Sequence, residues 1–274
     1  MKNLSFGLFG AAAVAALAMN AGATTLPFST GFEASEGYTN GSQLSSNANW
    51  SGDGQDTSGW AISNTAIGGV GAKTGSQYVL VTAPTAGTPT RWQWTVTPVT
   101  DFSVNSIIAG SADVKLASPT SRSVNRSTSA GLQMYDAGVN LMAQIDLLCD
   151  AQNVYGAGAG QMFVELVFGD GSGFAYNLGV ANALNQYVNL GLSVNFQAGT
   201  VTGYFNGVAL PDVGSNGGAS DFHDFDMFCG RTQTTTGGTA ARAGFDNYTI
   251  AQTPAPGALA LLGLGGLVAG RRRR

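Results

Sequence analysis

Across residues 187–196 the chain alternates without a break. Leu190, Leu192, Val194 and Phe196 fall on one side of an extended backbone, and Asn189, Gly191, Ser193 and Asn195 fall on the other. A period of two over this length describes a strand with one buried and one wet face, the habit of antiparallel sheets. Gln197-Ala198-Gly199 turns the chain into a second strand at 200–205, and Asn206-Gly207 supplies the next tight turn. The same pattern predicts a hairpin in which 164–168 meets 174–178 across Gly169-Asp170-Gly171-Ser172-Gly173. Further strands are expected at 77–82, 91–97, 107–116, 129–135, 141–148, 225–229 and 243–250, each bounded by Gly, Asn, Asp or Pro. Between the two ends of the chain no segment carries a helical period. An all-β fold follows, two antiparallel sheets packed as a sandwich.

The two ends follow a different pattern. Lys2 and an apolar run over 4–19 precede Ala21-Gly22-Ala23. That is the layout of a signal helix cleaved by signal peptidase after Ala23, and it is too short and too poorly flanked by charge for a membrane span. At the other end Pro254-Ala255-Pro256-Gly257 precedes a small-residue apolar run over 258–269, then Gly270 and Arg271, Arg272, Arg273 and Arg274. Residues 257–270 make about 21 Å of helix, against the roughly 20 residues that a full crossing needs. This short transmembrane helix would hold the inner membrane only transiently, with its arginines on the cytoplasmic side. The expected organisation is a signal peptide at 1–23, one sandwich domain at 24–251 and a sorting segment at 252–274.

The tail also carries a family resemblance. Pro254-Ala255-Pro256-Gly257, the run Leu259-Ala260-Leu261-Leu262-Gly263-Leu264, and Arg271 to Arg274 resemble the PEP-CTERM sorting signal in a Pro-Ala-Pro form, with Ala255 where the motif has Glu. The resemblance implies processing by an exosortase-type protease, and a final place in the cell envelope or extracellular polysaccharide of a bacterium.

Composition narrows what the central domain can meet. Charged residues make up 10% of the chain and there are 40 glycines, as in a turn-rich secreted β-protein. Without Lys2 and the four terminal arginines, 7 of the 12 basic residues remain against 16 acidic ones. Such a surface repels nucleic acid, whose phosphates need Lys and Arg, and is compatible with neutral glycans or divalent cations. Cys149 and Cys229 are the only cysteines. In an exported chain they suggest a disulfide, which would add about 4 kcal/mol if unstrained. The alternative is two buried thiols on separate strands.

A second resemblance lies in the domain itself. Leu190-Gly191-Leu192-Ser193-Val194 with Gly199-Thr200-Val201-Thr202-Gly203-Tyr204-Phe205-Asn206-Gly207 is similar to the late strands of concanavalin A-like, laminin-G-type jelly rolls. Gly31-Phe32-Glu33 with Glu36-Gly37-Tyr38, and Gly244-Phe245-Asp246-Asn247-Tyr248, resemble the first and last strands of that group. The resemblance implies a jelly roll and, where first and last strands meet, a structural calcium held by an early Glu and a late Asp, here Glu33 and Asp246. Otherwise Asp246 is a turn or strand-end residue bonded to nearby amides. Glucanases, lectins and structural modules share this fold, so fold alone does not settle activity.

Glycoside hydrolysis needs two carboxylates about 5 to 9 Å apart, and glucanases of this fold usually place theirs on one strand as Glu-x-Asp-x-Glu. That pattern is absent. Glu165 alternates outward with Phe163 and Val167, and Asp146 is expected on the same face of a neighbouring strand. The two are either a working pair or solvated or hydrogen-bonded strand residues, and the latter is the preferred account. His223 is the sole histidine, so a Ser-His-Asp triad would depend on it and no multi-histidine zinc site can form. The surrounding acidic stretch, 221–226, has three aspartates but no EF-type spacing, and neither does 53–56. Gly68-Gly69-Val70-Gly71-Ala72-Lys73-Thr74 lacks the glycine that a phosphate loop carries before its lysine, and reads as a turn. Trp92 and Trp94 share one face of a strand, as a glycan platform if that face is open and as core if it is not. The expectation is a non-catalytic module, structural or adhesive to extracellular polysaccharide. The alternative is a polysaccharide-cleaving glycoside hydrolase or lyase of the same fold.

Overall fold

A computed structural model describes residues 28–47, 50–51, 59–82, 90–95, 106–117, 128–150, 153, 155–158, 160–179, 185–231 and 242–254, with backbone only at 51, 90–95, 128, 231, 253 and 254. The signal segment with Ala21 and Ala23, the loop at 53–56, and the tail from Ala255 to Arg274 lie outside the described residues. Apart from two 3-10 turns, the regular structure described is all β. In chain order the strands are β1 (Phe28–Thr30), β2 (Trp50–Ser51), β3 (Trp60–Ser63), β4 (Tyr78–Thr82), β5 (Thr90–Thr95), β6 (Ser106–Ala117), β7 (Thr128–Tyr135) and β8 (Leu141–Asp150). There follow β9 (Gln161–Phe168), β10 (Gly173–Gly179), β11 (Val188–Asn195), β12 (Thr200–Phe205), β13 (Val208–Ser215), β14 (Asp224–Arg231) and β15 (Arg242–Pro254).

These strands form two antiparallel sheets. Sheet A runs β13-β12-β11-β6-β15-β4-β3, with β1 also on β15, and sheet B runs β10-β9-β8-β7-β14-β5-β2. The result is a jelly-roll sandwich. Asn206 and Gly207, at φ 51 and 75, give the β12–β13 hairpin its two positive dihedrals. Strand β15 pairs Pro254 with Ser106, so the sheet takes in three residues beyond the boundary expected at 251.

Inward residues alternate along every central strand. Ile108, Ala112, Val114 and Leu116 of β6 and Leu190, Leu192 and Val194 of β11 face Leu132, Met134, Ile145, Leu147, Val164 and Leu166 of sheet B. Between the layers, the ring of Phe225 lies 2.2 Å from where a Cβ on Gly110 would stand. Glycine is therefore required there for space rather than for its backbone. At one end Trp50 packs on Phe28, Phe32 and Tyr248 and donates its indole N–H to the Tyr38 hydroxyl at 2.9 Å.

The expected disulfide does not form. Cys149 and Cys229 remain thiols, on β8 and β14, which flank β7. Cys149 pairs with Thr128 and Cys229 with Ala130. Two strand spacings separate them by about 9.5 Å, beyond the ~7 Å limit for a bridge.

Candidate active site

The outward positions of sheet B carry the chemistry. One cross-strand row joins Ala175, Glu165, Asp146, Gly131 and Phe228, and the next joins Val167, Gln144, Gln133 and Asp226. Glu165 and Asp146 thus stand directly opposite one another on β9 and β8. Room for Asp146 comes from Gly131, where a Cβ would lie 2.1 Å from the Ile145 carbonyl oxygen and 2.5 Å from the Asp146 Cβ.

A line of hydrogen bonds fixes this face. Gln133 Nε2 donates to Gln144 Oε1 at 2.6 Å, and Gln144 Nε2 donates to Asp146 Oδ1 at 2.9 Å. Asp146 is wholly buried, and its Oδ2 receives no N–H or hydroxyl hydrogen. Its neighbour is the Glu165 carboxyl, and the two carboxyls can bond only if one keeps a proton. Burial, then the charge of Glu165, push Asp146 well above the usual carboxylate range. Burial also raises half-buried Glu165, although the bond from Asp146 pulls it down and Asp150 pushes it up. Both carboxyls are thus held above the ordinary carboxylate range, Asp146 by the fuller burial. Unequal burial is how one environment separates the roles of two acids.

The raised Asp146 has a measurable consequence. Between the ordinary value of 3.8 and its folded value, the native chain binds a proton that the unfolded chain releases. Stability therefore falls as pH rises through that window, by about 1.4 kcal/mol per pH unit. Asp146→Asn, a neutral amide that can still donate to Glu165, is expected to flatten this slope in urea unfolding measured at several pH values.

A second acidic group lies on β14. His223 Nδ1 is 2.7 Å from Asp224 Oδ2, and its backbone N–H donates to the Tyr135 carbonyl. Burial raises the Asp224 carboxyl against the pull of His223. Asp221 accepts from the Ala137 N–H. Among the described residues no three His, Cys, Asp or Glu side chains converge as metal ligands.

Aromatic rings border the carboxyl pair. Tyr155, at the β8–β9 connection, packs on Phe163 with centroids 4.8 Å apart and donates its hydroxyl to Glu165 Oε1. Register sets Trp94 opposite Asp226 and Trp92 opposite Phe228. Their side chains lie outside the described residues.

Glu33 and Asp246 lie elsewhere, where they grip one loop. Glu33 accepts from the Ser76 and Gln77 N–H groups at 2.9 and 3.0 Å and from the Ser76 hydroxyl. Asp246 Oδ2 accepts from the Lys73 and Thr74 N–H groups at 2.8 and 3.0 Å. Lys115 completes the clamp by donating Nζ to the Val70 and Gly71 carbonyls between the rings of Tyr78 and Tyr187. The glycine-rich segment 68–75 is thus a strapped turn.

No protein-family model and no curated protein matches the chain. Solved structures do. An endo-1,3-β-glucanase from Streptomyces sioyaensis is 11% identical, with 86% of this chain and 99% of that one covered and a TM-score of 0.53. A glycoside hydrolase family 16 endo-glucanase from Bacteroides ovatus is 13% identical over 81% and 99%, with a TM-score of 0.47. An alginate lyase from Pseudomonas aeruginosa is 17% identical over 69% and 84%, with a TM-score of 0.45. The first of these places the chain in the fold of a glycan-cleaving enzyme. This corrects the expectation of a non-catalytic module.

Proposed function

We propose that the sandwich is an exported hydrolase of neutral polysaccharide, working through Glu165 and Asp146 on the outer face of sheet B. The observation that carries this reading is the cross-strand carboxyl pair in which burial separates the roles of acid and carboxylate. Glu165 would attack the anomeric carbon while the Asp146 proton passes to the departing glycosidic oxygen. A water molecule would then release the sugar, giving its proton back to Asp146. The two successive displacements at the anomeric carbon would leave its configuration unchanged.

Hydrolysis is favoured over elimination by charge. The face holds Asp146, Asp150, Glu165, Asp224 and Asp226, and no lysine or arginine occupies an outer position of β7 to β10 or of β14 as far as Gly230. A polyuronate would bring one like charge per sugar with no cation to meet it. The test is release of reducing ends from a panel of neutral glycans. No release from any of them would remove the proposal.

Trp92 and Trp94, on β5 three strands from β8, would extend the sugar-binding face by stacking. Replacing both by Ala is expected to lower retention on a column of the cleaved glycan without changing the melting temperature. Unchanged retention would remove them from the binding face. The leader and the tail support export through signal peptidase and exosortase-type processing to the envelope or polysaccharide matrix. Mass spectrometry of both termini of the mature protein checks this. Glu33 and Asp246 stay candidates for a structural calcium only insofar as added calcium raises the melting temperature.

A further inference from the structure

Tyr155 has more than a packing role. The connection from β8 to β9 closes on itself where the Gly160 N–H donates to the Asp150 carbonyl at 2.7 Å. Within it the Tyr155 N–H donates to Asp150 Oδ2 at 3.0 Å, and Asn153 accepts from Gly156 and Gly158. Positive φ values at Asn153, Gly156, Gly158 and Gly160 fold this connection back over the sheet. Its tyrosine thereby reaches Glu165, which lies four residues along β9 from Gln161, a span of about 13 Å. The Tyr155 ring is 42% exposed, whereas Phe163 beneath it is 3% exposed. Tyr155 therefore covers an apolar ledge and the reactive carboxylate at once.

We infer that Tyr155 is a positioning residue that holds Glu165 as a carboxylate through its hydroxyl. The inference rests on the proposed hydrolase reading. Asp146 has no exposed surface, so Glu165 and Tyr155 form the accessible side of the pair. The titratable groups facing Glu165 are Asp146 across the strand pair, Asp150 at the end of β8, and Tyr155 above. Its β10 neighbour, Ala175, carries no charge.

The test is Tyr155→Phe, which keeps the ring on Phe163 and removes only the donated hydrogen. The Glu165 midpoint is read by carboxyl-carbon NMR titration, and the acidic limb of kcat/KM is followed on the cleaved glycan. Both are expected to rise by about one pH unit, the effect of losing one hydrogen bond to a carboxylate. KM should change less than kcat. An unmoved Glu165 midpoint in the folded variant would overturn the inference. If the wild-type chain cleaves no glycan but the midpoint still moves, the coupling stands and the hydrolase reading falls.

Discussion

Glu165→Gln is expected to reduce glycan hydrolysis by at least about 10³-fold, with the melting curve little changed. The amide keeps the shape and can still accept from Tyr155, but it cannot form the covalent bond to the sugar. Losses of 10² to 10⁴ are usual for a single acid–base group, and a nucleophile belongs at the upper end. Reducing-end assays at the pH optimum check this, with circular dichroism to show an intact sandwich. A smaller loss would be expected if Glu165 only bound the sugar, and it would appear in KM rather than in kcat. The drop should also be as large in Asp146→Asn, because the two side chains act as one unit and their effects are not additive.

The largest effect on stability is expected from Phe225→Ala. Phe225 is fully buried, and its ring lies 5.3 Å from that of Tyr248 and against Gly110 of the opposite sheet. The Tyr248 hydroxyl also donates to the Phe225 carbonyl at 2.7 Å. Truncation leaves a void between two sheets whose backbones cannot close over it, at a cost of about 3–5 kcal/mol. For a domain of this size the melting temperature should fall by about 10 °C. Adding a side chain at Gly110 while keeping Phe225 should destabilise by overpacking. Urea unfolding of both variants, compared at equal slope, measures the two effects.

Alternation located the central strands because those strands separate core from solvent. The predicted strand at 200–205 coincides with β12, that at 141–148 lies within β8, and those at 107–116 and 243–250 lie within β6 and β15. The strands that alternation missed are short or lie at a sheet margin. On the edge strand β13, Val208 and Val213 are exposed and Pro211 interrupts the donors, so no buried face imposes a period. Strand β2 has two residues and β3 has four, too few to display one.

The site was legible residue by residue but not in register. Sequence pattern set Glu165 and Asp146 on outward faces, yet only the pairing of β8 with β9 makes them direct neighbours. The same missing register allowed a disulfide across β7 to look plausible. Gln133 and Gln144 carried a signal that was not used. Each is a polar residue flanked by apolar ones, Leu132 and Met134 for the first and Ala143 and Ile145 for the second. On a strand, that marks an outward face reserved for polar contacts. Tyr155 carried no such mark, because it reaches Glu165 through a folded-back connection rather than through a strand period.

The central claim is that the Asp146–Glu165 pair cleaves neutral glycan with retention. The most direct measurement is proton NMR of the first products formed by the mature domain from a soluble neutral β-glucan, with a polyuronate run in parallel. The account predicts new reducing ends of unchanged anomeric configuration from the glucan and no unsaturated sugar from the polyuronate. Inverted product, or cleavage of the polyuronate with an unsaturated end, would contradict it.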